Sequence, residues 1–212
     1  MCDYLAGLQP DTGPMHDPWE HIGRLWTNGD PFLAVDAALR SAWRGFSNDA
    51  YDLVVALSRY EDTSVPVGAG RGVLVGADGV VGHYTWMEVF TTKSGCIAVV
   101  QASGPDYPGM LARALGYPVE DDQDGDALRV ESGQLAIFSA ATDGTGRYSG
   151  PWTSARPSPL PDVPGPPTGG ADPGLLMPVP HNRYRFKVRW HTWPDDDHCF
   201  ARWLLTPASP DD

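Results

Sequence analysis

The sequence RYRFKVRWHTWPDDDHCFARWLL occupies residues 183–205 and carries the most regular pattern in the chain. From Tyr184 to His191, aromatic and aliphatic residues alternate with basic ones, a period of two that is typical of a strand with one buried face. A proline and three aspartates interrupt this run, and a second apolar run extends from His198 to Leu205. Two such runs joined by a short polar connection predict an antiparallel hairpin that closes the fold.

The basic side chains of the first run, Arg185, Lys187 and Arg189, share the face opposite the apolar ones. The chain has 15 Lys and Arg residues against 27 Asp and Glu residues, for a formal net charge of −12. In so acidic a chain we expect these three cations to pair with the protein's own carboxylates rather than with an anionic ligand. The turn at 193–197 is then the part of the hairpin with functional interest.

Short runs rich in β-branched and aromatic residues predict further strands, separated by turns that contain Gly, Pro, Asn or Asp. The runs cover residues 32–35, 65–67, 71–75, 80–90, 96–100, 127–130 and 134–140. Helical spacing predicts a helix at 48–58 with Ser47 as its N-cap, and a shorter helix at 108–115 that ends at Gly116. The predicted fold class is mainly β with one or two short helices (α+β), built from antiparallel sheets.

One internal similarity raises the hypothesis of two β-rich halves. Residues 32–38 read FLAVDAA and residues 135–141 read LAIFSAA. Both segments combine a strand-like apolar run with a pair of alanines, which is a weak internal similarity.

The length of 212 residues suits a single domain, which we place at 19–212. Residues 1–18 contain three prolines and few apolar side chains, so we expect a flexible leader. Residues 151–180 hold ten prolines and four glycines, a composition that predicts a flexible loop without core residues.

Charge and composition exclude some classes of function. A net charge of −12 argues against a nucleic-acid-binding protein, because phosphate neutralisation requires surplus Lys and Arg. It is compatible with a cationic protein partner.

The odd number of cysteines suits a reducing compartment, and the chain lacks both a secretory signal pattern and a long apolar run. We therefore expect a cytoplasmic protein that does not associate with membranes.

An acidic segment at 120–131, EDDQDGDALRVE, has carboxylates at the spacing of an EF-hand calcium loop. Pro118 would break the incoming helix, and the residues that follow form a predicted strand, so a solvated acidic turn is the favoured interpretation.

A β-rich module that binds calcium through this segment, or a sugar through the eight tryptophans, is the alternative function. No nucleophile elbow or phosphate loop is present, and we predict no catalytic, cofactor or metal site.

Several motifs occur along the chain: a Trp followed by a turn and an apolar strand, a Trp-x-Gly before an acidic helix, a Tyr with a Gly-rich strand pair, and a closing hairpin with an acidic turn. They occupy residues 26–33, 43–45, 49–52, 60, 67–76 and 183–196. Together they resemble the immunity protein 21 family of bacterial polymorphic-toxin systems, with Asp30 in place of a family glycine.

The resemblance implies an immunity protein that binds a cognate toxin and blocks it stoichiometrically, without catalysis. The toxin domain would be a basic nuclease or another enzyme, steered towards the acidic chain by charge. From charge and expected exposure, the candidate contacts are Trp193 as an anchor and seven carboxylates: Asp121, Asp122, Asp124, Asp126, Asp195, Asp196 and Asp197.

Overall fold

The computed structural model of the chain describes residues 17–27, 30–56, 63–76, 85–160 and 173–209. Within these residues, twelve strands form two six-stranded sheets, accompanied by two helices and a 3-10 turn at Arg40–Ala42. The helices are α1 (Ala50–Ala56) and α2 (Tyr107–Leu115). The strands are β1 (Glu20–Thr27), β2 (Phe32–Asp36), β3 (Ser64–Val67), β4 (Gly70–Val75), β5 (Thr85–Thr91), β6 (Ile97–Ser103), β7 (Gln123–Arg129), β8 (Gln134–Ser139), β9 (Trp152–Ser154), β10 (Gly174–Pro178), β11 (Arg183–Thr192) and β12 (Cys199–Pro207).

The predicted closing hairpin is confirmed as the antiparallel pair of β11 and β12, with Phe186 opposite Leu205 and Val188 opposite Trp203. Tyr184, Phe186 and Val188 are buried, as their alternation with basic residues predicts. The hairpin joins the middle of the first sheet, whose strand order is β1-β5-β6-β12-β11-β7. The mainly β fold class with short helices is therefore confirmed.

The second sheet has the strand order β3-β4-β2-β8-β10-β9 and packs face to face with the first. The core between the sheets includes Ile137 and Leu175 from the second sheet, and Val99 and Trp203 from the first. Helix α2 covers the outer face of the first sheet, while Trp43 and α1 cover the outer face of the second. Strand β6 is a continuous apolar run because both of its faces are covered.

The strand order confirms two β-rich halves. In each sheet, three strands come from β1–β6 and three from β7–β12. From the two edges inwards, β1, β5 and β6 correspond to β7, β11 and β12 in the first sheet. In the second sheet, β3, β4 and β2 correspond to β9, β10 and β8. The central pairs join corresponding strands, β6 with β12 and β2 with β8, and Ala34 lies opposite Ile137, its equivalent in the internal sequence similarity. The match is incomplete at one edge, since β9 runs parallel to β10 whereas β3 runs antiparallel to β4.

The prediction of a flexible loop at 151–180 is wrong for the described part of that segment. Strand β10 pairs with both β8 and β9, and its residues Leu175 and Met177 are 3% and 2% exposed in the core. Leu175, Leu176 and Met177 form a run of three apolar residues, and their burial stabilises this strand despite the surrounding prolines. Residues 161–172 lie outside the described residues.

Two other boundaries differ from the predictions. Helix α1 begins at Ala50, so Ser47 is not its N-cap; Asp49 adopts a left-handed φ of 53° and separates the two. Residues 1–16 of the predicted leader and residues 57–58 of the predicted helix lie outside the described residues. Asp17, at the end of the predicted leader, is attached to the domain because its carboxylate accepts a hydrogen bond of 2.6 Å from the backbone N–H of Ser94.

Helix α2 matches its prediction closely. Asp106 caps it by accepting a hydrogen bond of 3.0 Å from the N–H of Gly109, a proline lies in its first turn, and Gly116 ends it. Neither helix in the described part of the chain is long and apolar enough to cross a membrane.

Candidate functional site

The connection between β11 and β12 presents the most exposed tryptophan of the protein. The Trp193 side chain is 64% exposed, and Asp195, Asp196 and Asp197 beside it are also exposed. The Asp195 carboxylate accepts a hydrogen bond of 3.2 Å from the N–H of Asp197, which closes the turn locally. The predicted contacts at the hairpin therefore lie together on one exposed turn.

Contacts with α2 hold this turn in place. Arg113 on α2 donates hydrogen bonds from Nη1 to Asp195 at 2.9 Å and from Nη2 to the carbonyl of Pro194 at 3.3 Å. His198 Nδ1 donates to the same carboxylate at 2.7 Å, and this hydrogen bond lowers the pKa of Asp195. Asp195 thus works as an anchor of the turn, whereas Trp193 remains exposed to a partner.

A second acidic turn lies at the same end of the first sheet. Trp190, near the end of β11, donates a hydrogen bond of 2.8 Å to Gln123 at the start of β7. This contact places the exposed Glu120 and Asp121, which precede β7, beside the hairpin connection. We call the combined surface the acidic tip, and it comprises Glu120, Asp121, Trp193, Asp195, Asp196 and Asp197.

Asp122 is wrongly predicted as a contact residue. Its side chain is fully buried and lies 2.6 Å from Nη2 of Arg202, and its other oxygen accepts a hydrogen bond from Nε of Arg189. The side chains of Arg202 and Arg189 are 2% and 13% exposed, so the three groups have little access to water. A carboxylate that neutralises two buried guanidinium groups is unavailable to a partner.

Asp124 and Asp126 are exposed but lie on a strand rather than on the predicted acidic loop, because β7 begins at Gln123. Asp124 pairs with Lys187 at 3.1 Å and Asp126 pairs with Arg71 at 2.9 Å. The expectation that the hairpin cations pair with the protein's own carboxylates is confirmed for Lys187 and Arg189. Both aspartates lie outside the acidic tip as we define it.

Arg202 also fixes the end of α2 to the first sheet. Its Nη1 donates to the carbonyls of Ala114 and Tyr117, each at 2.8 Å, and its Nη2 donates to that of Pro118 at 3.3 Å. The last carbonyls of a helix have no partner inside the helix, so a buried arginine that binds them stabilises the helix end. The helix that anchors the hairpin connection is therefore itself rigidly attached.

Sequence reasoning missed a second buried charge cluster, centred on Glu88 of β5. Its Oε1 accepts hydrogen bonds from Nε of Arg24 at 2.8 Å and from the hydroxyl of Tyr107 at 2.7 Å, while its Oε2 lies 2.8 Å from Nε2 of His21. Burial opposes the charged form of Glu88, but these hydrogen bonds outweigh it and lower the pKa of the carboxyl. Burial and the Glu88 charge raise the pKa of Tyr107, which stays protonated as a donor.

His21 links this cluster to the segment that follows β9. Its Nδ1 lies 3.0 Å from the Ser158 hydroxyl and 3.1 Å from the Ser158 carbonyl, and the N–H of Ser158 donates to the carbonyl of His21 at 3.0 Å. The side-chain distances match those of a nucleophile and its base. The Ser158 carbonyl and the Glu88 carboxylate each lie within hydrogen-bond distance of one ring nitrogen of His21, and these contacts fasten the segment to β1.

A groove of about 570 Å³ opens between the β3–β4 hairpin and the residues after β7. Asp36 forms part of its lining and accepts hydrogen bonds from the N–H groups of Glu131 and Ser132 at 2.7 and 3.0 Å. Arg71, also in the lining, is held by Asp126. The described polar groups here serve the turns themselves, and we assign no ligand to the groove.

Three carboxylates with little exposure predict a loss of stability in acid. For Asp36, Glu88 and Asp143, burial opposes the charged form, but hydrogen bonds outweigh it and lower each pKa. A lowered pKa in the folded state gives stability that is present above the unfolded pKa of about 4 and lost as the pH falls through the folded pKa. We expect urea denaturation followed by tryptophan fluorescence to give a constant free energy of unfolding from about pH 7 to 5, and a steep decrease below about pH 4. A free energy of unfolding that rises on acidification would contradict this assignment.

The two features offered for the alternative function in ligand binding, the acidic segment and the tryptophans, have defined places in the fold. The segment proposed to fold as a calcium loop forms strand β7, whose successive side chains point to opposite faces. No group of three His, Cys, Asp or Glu side chains in the described residues is placed to hold a metal ion. Among the eight tryptophans, Trp43 and Trp203 are buried, Trp193 is exposed and the other five are partly buried.

The fold and the acidic tip define a two-sheet β-sandwich that presents a tryptophan in an acidic turn. No family model, curated protein or solved structure matches this chain.

Proposed function

We propose that the chain is a cytoplasmic immunity protein that binds a cognate toxin and neutralises it without catalysis. The observation that carries the proposal is the exposure of Trp193 at 64% in a turn of carboxylates. Exposed tryptophans held in a defined geometry are the side chains that most often dominate protein–protein binding energy. The resemblance to the immunity protein 21 family supports the same function.

The charge of the acidic tip suits a basic partner. Glu120, Asp121, Asp196 and Asp197 are exposed at the same end of the first sheet as Trp193, in a chain of net charge −12. Such a surface accelerates the encounter with a cationic protein and occupies a site that would otherwise bind phosphates. Inhibition would then result from occlusion of the toxin's substrate site by the tip.

Rigidity of the tip adds to the affinity of the complex. Arg113 and His198 hold the turn through Asp195, and Arg202 holds α2 on the sheet. Because the turn is ordered before binding, little conformational entropy is lost when the partner arrives. The tryptophan can therefore enter a partner pocket with its full contact area.

Where a toxin domain is encoded beside this gene, the purified toxin domain is the probe for the test. We expect a one-to-one complex and loss of toxin activity at equimolar ratio. Trp193→Ala is expected to raise the dissociation constant by about 30-fold or more, since truncation of a central tryptophan removes a binding hot spot. Calorimetry and a toxin activity assay measure the two effects.

Phe46→Ala is the matched control, because Phe46 is exposed to a similar extent, 62%, but lies outside the acidic tip. It should leave toxin binding unchanged. Toxin activity that persists with the chain in molar excess would refute the immunity function for that pair. Equal losses of affinity for the two variants would refute the role of the tip.

A further inference from the structure

Two turns on the outer side of the second sheet carry a pair of exposed aromatic rings. One turn follows Trp43 and the other follows β8. Phe46 in the first turn is 62% exposed and Tyr148 in the second is 44% exposed, and their ring centroids lie 4.7 Å apart. The rings contact each other while large parts of both remain open to solvent.

Hydrogen bonds of the buried Asp143 hold the two turns together. Asp143, 2% exposed, accepts hydrogen bonds from the N–H groups of Phe46 and Ser47 at 3.1 and 3.0 Å, and its own N–H donates to the carbonyl of Tyr148 at 3.1 Å. At Gly45, an added Cβ would lie 2.2 Å from the carbonyl oxygen of Ala140, so the backbones approach as closely as glycine permits. The exposed ring pair is therefore presented on a rigid support.

Charged residues of both signs lie close in sequence to the two rings. Arg44 and Arg147 are exposed on the two turns, and Arg44 lies 3.8 Å from the buried Asp143. Asp49 precedes α1, Asp52 lies in its first turn, and both are exposed. We call these four exposed residues with Phe46 and Tyr148 the aromatic platform. Its charges balance, whereas the whole chain carries a net charge of −12.

We propose that the aromatic platform joins two copies of this chain in a symmetric dimer. A symmetric contact requires a surface that complements itself, and here aromatic rings can meet rings while arginines face aspartates of the other copy. Two strongly acidic molecules approach with least repulsion where each is locally neutral. The inference is independent of the acidic tip and of the proposed function.

Sedimentation velocity of the full chain tests this dimer. We expect wild-type protein to shift from monomer to dimer between about 5 and 500 µM, the range in which a small interface associates. The double variant F46S/Y148S should raise the dimer dissociation constant at least about tenfold. Its far-UV circular dichroism and Tm should remain those of the wild type, because both rings are exposed.

Two further variants make the result decisive. Arg147→Asp reverses one charge of the platform without removing a ring, and it should also weaken the dimer. Trp193→Ser removes the exposed aromatic residue of the acidic tip, and it should leave self-association unchanged while reducing toxin binding. A monomer at every concentration, or a dimer that survives both F46S/Y148S and Arg147→Asp, overturns the proposal. So does a dimer that is lost in Trp193→Ser.

Discussion

Replacing Asp122 with alanine is expected to lower the free energy of unfolding by about 3–5 kcal/mol, because two buried guanidinium groups would lose their shared carboxylate. The side chains of Arg189 and Arg202 are only 13% and 2% exposed, so water cannot replace the lost partner. A domain of this kind has a total stability of about 5–15 kcal/mol, and the variant would therefore be substantially destabilised. Urea denaturation at neutral pH measures the loss.

Asp121→Ala provides a matched control for this prediction. Asp121 has the same side chain and precedes Asp122 directly, but it is exposed. Its replacement should change the free energy of unfolding by less than about 0.5 kcal/mol, as for most surface substitutions. Similar losses in the two variants would mean that the carboxylate of Asp122 does not hold the arginines in solution.

The local parts of the fold are predictable from the sequence. The β11–β12 hairpin follows from a period of two over eight residues, and α2 follows from a proline at its start and a glycine at its end. The internal similarity that contains Ala34 and Ile137 correctly indicates two halves, because both segments fold as the central strands of one sheet. These signals are contained in neighbouring residues, where sequence patterns are most informative.

The roles of individual carboxylates are not predictable in this way. Asp121 and Asp122 are adjacent and chemically identical, and only the distant Arg189 and Arg202 make one of them a buried ion-pair partner. The same limit applies to Glu88, whose partners come from β1 and α2. Burial of a charge depends on tertiary packing, which a short sequence window does not contain.

The two buried charge clusters can be compared through the corresponding strands of the two halves. Glu88 on β5 and Arg189 on β11 occupy corresponding strands, one as a buried carboxylate and the other as a buried cation. Each cluster reaches α2, which packs over the central strands. Glu88 binds Tyr107 at the start of the helix, and Arg202 binds carbonyls at its end. Hydrogen bonds thus hold helix α2 at both of its ends. The position of the acidic tip, which α2 anchors, depends on both sets of contacts.

Replacing Glu88 with glutamine is expected to lower the free energy of unfolding by about 2–4 kcal/mol, because the neutral amide keeps the shape but removes the charge that pairs with Arg24. Arg24 retains 20% exposure of its side chain, which lets water compensate part of the loss and places the effect below that of Asp122→Ala. Urea denaturation measures the change, with Glu20→Gln on the exposed side of β1 as the control that should differ little from wild type.

The pH dependence of the same variant separates loss of charge from loss of packing. In the wild type, the lowered pKa of Glu88 gives stability that is present above the unfolded pKa of about 4.3 and is lost as the pH falls through the folded pKa. Glu88→Gln has no proton to bind at this position, so its free energy of unfolding should fall less steeply below about pH 4 and approach that of the wild type. If the two proteins lose stability in parallel as the pH falls, the cost of the substitution lies in packing, and the ion-pair role of Glu88 is refuted.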